Sequence, residues 1–298
     1  MSAVVANPNK DADLPPFVER CIRDFLAVPG NNTLGPGTTD KAWDDVLLGY
    51  SSATDDLFAS LKEHIGPFHW TPAEAFALGA SHGAPARPDD LTVISWALCH
   101  TEATKVANRM ETRFPSEPWA RARMFGQTVN GALHVALVNA LARRGHPAVA
   151  PGLLPQWGER ESPEYGRAST WSERHVAHIS GLGTFGLAGG LITERGQAVR
   201  LGSVVVRATI PPTPRPYSDP FAYCLFFARG TCGSCADRCP VGSVSREGRD
   251  KDACARHLRP VTEEYVRREF GFVGYGCGLC QTAVPCESGV PKPLRPPA

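Results

Sequence analysis

The sequence has no run of eighteen apolar residues, so it offers no candidate for a membrane-spanning helix. Its first residues, Met1 to Asp11, are polar and lack the apolar centre of a secretory signal. Twin arginines occur only internally, at Arg143-Arg144 and Arg267-Arg268, and neither reads as an export signal. Neither sign of charge is in excess. The 31 Lys and Arg stand against 30 Asp and Glu, a formal net charge of +1, which argues against broad, tight binding to a polyanion. There is no internal repeat of solenoid length and no low-complexity tract. These absences predict a cytoplasmic protein with no membrane partner, in a compartment that keeps thiols reduced.

What is present is 298 residues, enough for two domains and for a core that needs no disulfide staples. Pro15-Pro16 opens a helix whose Phe17, Cys21 and Phe25 would share a face. Residues 54–65 repeat that pattern, with Asp55 and Asp56 in the first turn and Leu57, Leu61 and Ile65 as the stripe. Thr71-Pro-Ala-Glu74 is a capping box with proline at the first helical position. Residues 91–99 (LTVISWALC) read as a buried strand. A long helix is predicted from about Glu117 to Arg144, ended by Gly145, with Val129, Leu133, Leu137 and Leu141 on its apolar face. A short helix follows Ser169-Thr170, and residues 191–193 and 198–206 read as a hairpin turning at 194–197. The proline-rich stretch 211–220 is taken as a stiff linker. It separates an α/β cofactor or substrate domain over 1–210 from a cysteine-rich domain over 221–298.

Eight of the ten cysteines fall in that last part. They are Cys224, then Cys232-Gly-Ser-Cys235-Ala-Asp-Arg-Cys239-Pro240, then Cys254, then Cys277-Gly-Leu-Cys280, then Cys286. Eight thiolates are what two 4Fe-4S clusters require, and in two-cluster ferredoxins the cysteine before proline ligates the other cluster. That rule puts Cys232 and Cys235 on one cluster and sends Cys239 to the second, with Cys254, Cys277 and Cys280. Cys286 returns to the first, and Cys224 completes it. The usual first cysteine would fall at Arg229, so Cys224 must reach over from a longer loop. Five residues rather than three precede Cys286, with Pro285 before it and Glu287 after it. Structural zinc is the competing reading, because paired C-x2-C units also make zinc sites. The C-x3-C-P ending favours iron.

Gly181-Leu-Gly183-Thr184-Phe-Gly186 matches the G-x-G-x-x-G string, but a helical segment precedes it and a hairpin is predicted after it. That context is the reverse of a dinucleotide-binding fold. Two readings remain. One is a helix C-cap with a tight loop, and the other is close backbone approach to a flat cofactor or substrate.

The order of features resembles the epoxyqueuosine reductase superfamily, which includes the catalytic part of reductive dehalogenases. Three stretches carry the resemblance: Leu141-Ala-Arg-Arg-Gly145-His-Pro-Ala148; Trp171-Ser-Glu-Arg-His175 running into the glycine string and Leu201-Gly-Ser-Val204; and the cysteine module with Cys277-Gly-Leu-Cys280-Gln. The likeness is to short relatives without a helical-repeat tail. It implies an α+β protein, with a nitroreductase-like α/β domain that can hold cobalamin, followed by a two-cluster ferredoxin-like module. It implies an oxidoreductase fed by a ferredoxin- or flavodoxin-type donor, with a small-molecule substrate at the domain interface. A protein that reduces a corrinoid partner without its own substrate is the alternative. The longer relatives carry an Arg-Asp-Tyr-His string whose aspartate donates a proton; Gln127-Thr-Val-Asn130 stands there in this chain. With the tail also without counterpart before Ala298, the expectation is that tRNA is not a partner. The candidate catalytic residues are therefore Glu173, His175 and Asn130, with Gly181, Gly183, Thr184 and Gly186 against the cofactor. His178 faces the same way as His175 and is read as a packing residue.

Overall fold

The computed structural model describes residues 11–79 and 86–295. In chain order the first lobe runs α1 (Leu14–Ala27), β1 (Trp43–Ser52), α2 (Asp56–His64), α3 (Pro72–Gly79), β2 (Leu91–His100), α4 (Glu102–Arg109) and α5 (Glu117–Arg143). Then come β3 (Ala148–Val149), β4 (Glu159–Ser162), β5 (Gly166–Ser169), α6 (Glu173–Ile179), β6 (Gly183–Phe185), β7 (Leu191–Thr193) and β8 (Val199–Arg207). The module contributes α7 (Leu225–Arg229), α8 (Ser234–Asp237), α9 (Lys251–Arg256) and α10 (Thr262–Phe270). Among the described residues no helix is long and apolar enough to cross a membrane.

The main sheet has the order β1-β2-β8-β3 and is antiparallel throughout. All ten residues of β2 are buried, because helices cover both faces of its centre. On one face Ile94, Trp96, Leu98, Val204 and Val206 pack against α1 and against Val129, Leu133, Leu137 and Leu141 of α5. On the other, Val93 and Val205 meet α2, α3 and α6 through Phe58, Phe76, Val176 and Ile179. A strand buried on both sides reads as a continuous apolar run rather than an alternation, which is why residues 91–99 were legible. The capping box at Thr71 is formed reciprocally: the Thr71 N–H donates to Glu74 Oε2 at 2.8 Å and the Glu74 N–H donates to Thr71 Oγ1 at 3.3 Å.

Three local expectations are corrected. The hairpin of 191–193 with 198–206 does not form. Leu191–Thr193 pairs with Gly183–Phe185, and β8 enters the main sheet between β2 and β3. The tight turn is present, closed by Thr193 and Gly196. Beyond it, Val204, Val205 and Val206 find burial on both faces only inside the large sheet. In α1 the buried stripe is Leu14, Val18 and Ile22, while Phe17, Cys21 and Phe25 flank the core half-buried. In α2 Phe58 rather than Leu57 is buried, and Asp55 caps the helix by accepting from the Leu57 N–H.

Residues 211–220 run along the first lobe. The Thr213 N–H donates to Tyr50 O at 2.9 Å, and Tyr217 Oη donates to His178 O at 2.7 Å. The Phe185 N–H donates to Pro220 O at 2.7 Å. The module is then clamped to α4 and α5. Asn108, fully buried, donates to Cys277 O at 3.2 Å and Thr282 Oγ1 at 3.1 Å. Arg109 grips the buried carboxylate of Glu287, with Nε at 2.8 and 3.0 Å from its two oxygens. Glu287 in turn accepts from the Ala283 N–H at 2.6 Å. That holds Ala283 at φ 55, a left-handed conformation rare for a residue with a Cβ.

Candidate metal centre and redox site

Cys224, at the N-cap of α7, Cys232, Cys235 of α8 and Cys286 line one cavity. Its remaining wall is largely apolar, with Leu187, Ala188 and Ile192 from the first lobe and Phe226 and Val284 from the module, and with Gln197 as its polar member. Burial pushes the Cys235 thiol up to about 11, with Cys224 and Cys232 adding repulsion. Burial and then the same neighbours raise Cys286 further. The second set is Cys239, Cys254 of α9, Cys277 and Cys280. Burial lifts Cys277 to about 11, with Cys254 and Cys239 as its thiol neighbours. It lifts Cys280 to about 12, with Cys277 and Cys254 nearby and Cys235 of the first set also within reach. The two sets are therefore adjacent. All ten cysteines are free thiols.

Hydrogen bonds already aim at several sulfurs. Gln197 Nε2 donates to Cys286 Sγ at 3.2 Å and to Cys280 O at 3.0 Å, tying the two sets together from the lobe side. Arg249 Nη2 donates to Cys254 Sγ at 3.3 Å. Cys239 Sγ lies 3.2 Å from Ser243 Oγ; burial raises that thiol, but Ser243 and backbone N–H groups outweigh it and the net shift is downward. Among the described residues no three His, Cys, Asp or Glu side chains converge closely enough to hold a single metal ion. The first thiol set instead lines a cavity and the second set gathers beside it, so the donors fit groups wider than one ion, with N–H donors of the kind that tune iron–sulfur clusters. Spacing pointed to the cysteines. Nothing in the sequence marked Gln197, Arg249 or Ser243, which are brought in by the fold.

The three candidate catalytic residues are not brought together. Glu173 opens α6 on one face of the sheet. Its Oε2 accepts from Ser203 Oγ at 2.7 Å, and Ser203 Oγ accepts from the Trp171 indole at 3.0 Å. Burial pushes the Glu173 carboxyl up to about 7 against the opposing pull of Ser203. His175 lies on the same helix, its Nδ1 2.8 Å from Ser172 Oγ. Burial, then the charge of Arg174, lowers it to about 3, so the ring is neutral. Arg174 donates to Gly189 O at 2.6 Å, and Arg249 donates to the neighbouring Ala188 O at 3.0 Å, so α6 stands beside the second thiol set. His178 donates from Nδ1 to Gly183 O at 2.8 Å and stacks on Tyr217.

Asn130 lies on the opposite face, in α5, 1% exposed. Its Oδ1 accepts from the Trp96 indole at 2.8 Å and its Nδ2 donates to Leu201 O at 3.1 Å. Both ends of the amide are used in joining α5 to the sheet, so the expectation of Asn130 at a reacting surface is corrected. A polar residue among apolar helix positions marks a buried crosslink as readily as a site.

The glycine loop is filled by the chain itself. Gly181, at φ +82, ends α6, and a Cβ there would meet Pro214 O at 3.0 Å. At Gly183 a Cβ would meet Ile192 O at 2.2 Å. Thr184 is fully buried and accepts from the Tyr223 N–H at 2.8 Å. Gly186 packs on Ile192 and lines the first thiol cavity. Across the lobe–module boundary the Trp119 indole lies where a Cβ on Gly278 would stand, 1.9 Å away. The loop as folded, packed on Ile192, Pro214 and Tyr223, does not fit a corrin ring.

No family profile matches the chain. It is 34% identical over 125 residues to an epoxyqueuosine reductase of Bacillus anthracis, a match covering 40% of this chain and 30% of the relative. It is 30% identical over 126 residues to one of Lactococcus garvieae, covering 41% and 33%. The match thus spans about a third of the length of these curated relatives. Among solved structures, an epoxyqueuosine reductase superposes with a TM-score of 0.51 at 17% identity, over 96% of this chain and 68% of that one. A catabolic reductive dehalogenase in complex with 3-bromo-4-hydroxybenzoic acid gives 0.50 at 12% identity, over 93% and 37%. In fold, over nearly its whole length, the chain is similar to solved epoxyqueuosine reductases and reductive dehalogenases, and in sequence, over two fifths of it, to epoxyqueuosine reductases.

Proposed function

We propose that the protein is an iron–sulfur oxidoreductase with two 4Fe-4S clusters, one on Cys224, Cys232, Cys235 and Cys286 and one on Cys239, Cys254, Cys277 and Cys280. The observation that carries this reading is the gathering of eight free thiols into two adjacent sets of four, the first around a single cavity. When bound, the clusters would supply one-electron transfers at low potential. The chain's own residues would set that potential. Gln197 and Arg249 stabilise negative charge on sulfur, while the apolar wall of the first cavity excludes water. Glu173, with a carboxyl raised to about 7, holds a proton near neutral pH at the start of the helix whose Arg174 meets Gly189, and is the proposed proton source for a small-molecule substrate. A ferredoxin- or flavodoxin-type protein is the proposed donor. The tRNA bound in a solved relative is not carried over, because the balanced charge and the uncharged stretch 127–130 do not support it.

One observation favours a second reading, in which the protein hands electrons to a corrinoid partner. Helix α5 runs unbroken through Gln127–Asn130, where the resemblance would place a catalytic acid, and no carboxylate stands there. To separate the two, anaerobic protein carrying iron and sulfide is reduced through a flavodoxin-type donor and offered small-molecule acceptors alone, then with a corrinoid protein. Reoxidation by a small molecule supports the enzyme. Reoxidation only by the partner supports the alternative. A protein that accepts no electrons from the donor sinks both.

A further inference from the structure

A second cleft lies at the end of β2, where the first lobe meets the module. It is open to solvent, has a volume of about 230 Å³, and is lined by Asp44, His100, Glu102, Lys105, Arg195 and Ser288. That volume suits a ligand smaller than a drug-sized molecule, whose sites run from roughly 300 Å³ upward. Asp44 is the extra residue of a β-bulge between Trp43, opposite His100, and Asp45, opposite Cys99; bulges of this kind re-aim a side chain. Ser288 comes from the module, two residues after Cys286, and accepts from Lys105 Nζ at 2.8 Å. The cleft wall is thus continuous with the chain that holds the first thiol set.

Most of the cleft's polar groups are already engaged, the Cys99 thiol by Arg195 among them. Lys105 is taken by Glu102 at 2.8 Å and by Ser288, and Glu102 is shared with Arg109. Arg195 leans on Asp45 at 3.6 Å, with its side chain half exposed. Among the described residues Asp44 has no ion-pair or hydrogen-bond partner. His100 is 7% exposed, lies 4.3 Å from Trp119 ring to ring and edge-on to Trp43, and its Nδ1 is buried without a partner. Burial holds the ring neutral, at about 3. A bare lone pair on a sealed nitrogen costs less than an orphaned N–H, so the proton belongs on Nε2, the nitrogen left to meet the cleft. The site therefore offers an unpaired carboxylate at one point, and an N–H donor with an exposed guanidinium at another.

We propose that this cleft binds a small zwitterion of the amino-acid type, its ammonium on Asp44 and its carboxylate on His100 Nε2 and Arg195. The inference goes beyond the reading above and does not require it. In the test, anaerobically purified protein is titrated with each free amino acid at up to about 10 mM, followed by calorimetry and by the emission of Trp43 and Trp119, which flank His100. At least one amino acid is expected to bind. Propionate and ethanolamine, each carrying half of the charge pair, are expected to bind at least about tenfold more weakly. D44N and H100F should each weaken the amino acid by about tenfold or more, with D44N, at an exposed position, melting as the parent does. The proposal is overturned if no amino acid binds, if propionate or ethanolamine binds as well as the amino acid, or if D44N binds unchanged. Iron and sulfide measured on the same preparation show separately whether the cluster reading has failed.

Discussion

In the first lobe all ten residues of β2 are buried and α5 contributes ten buried positions along its length. In the module α7, α8 and α9 contain no buried residue at all. The lobe is held by apolar contact spread over a sheet with helices on both faces. The module has a small core in which half-buried cysteines take the places that Leu or Val would fill elsewhere. Its order therefore rests on what the thiols hold and on a few ties to α4 and α5. The contrast shows how one chain can carry a self-sufficient scaffold beside a region whose folding is coupled to ligand binding, as it is in small metal domains.

The largest expected effect tests that contrast directly. Anaerobic chelation of iron should leave the lobe intact and open the module, seen as protease cuts confined to 221–290. A module that stays resistant without metal would break the comparison. Next is the clamp. Glu287→Ala leaves Arg109, a third exposed, with only Glu102 and leaves the Ala283 N–H unpaired, and should cost about 2 kcal/mol in urea unfolding, with a separate early transition for the module. Within the lobe, Asn130→Ala orphans the Trp96 indole and should cost about 3 kcal/mol while leaving iron content and the rate of reduction unchanged. A fall in electron transfer without loss of stability would return Asn130 to the reacting surface.

The smallest effect concerns pH. The folded carboxyl of Glu173 is raised from 4.5 to about 7. Its stabilising contribution is present below pH 4.5 and is lost as pH rises through about 7. Glu173→Gln should match the parent near pH 4 and exceed it by about 2 kcal/mol at pH 8, allowing for solvent screening. If Glu173 supplies the proton, the parent's turnover should also fall above pH 7 and that of the variant should be low throughout.

What the sequence made legible was local. The apolar run of β2, the ends of α5 and the capping box at Thr71 each depend on neighbours within a few residues. The antiparallel partner of β8 depends on which surface remains uncovered after the rest of the lobe has formed, and periodicity carries no record of that. The same limit hid Gln197, whose contact to sulfur spans 89 residues; Arg249 lies only five residues from Cys254, but a lone arginine in a loop carries no spacing signal for a sulfur contact. That limit also hid the raised carboxyl of Glu173, set by burial under a distant strand. Asn130 shows the converse: its position in the chain suggested chemistry, and its surroundings show a crosslink.

The most direct measurement is iron, acid-labile sulfide and zinc per chain in protein prepared without oxygen, with electron paramagnetic resonance of the reduced sample. The account predicts about eight irons and eight sulfides per chain, and a spectrum of two interacting reduced clusters. Colourless protein, or zinc at one or two ions per chain with no sulfide, would contradict it.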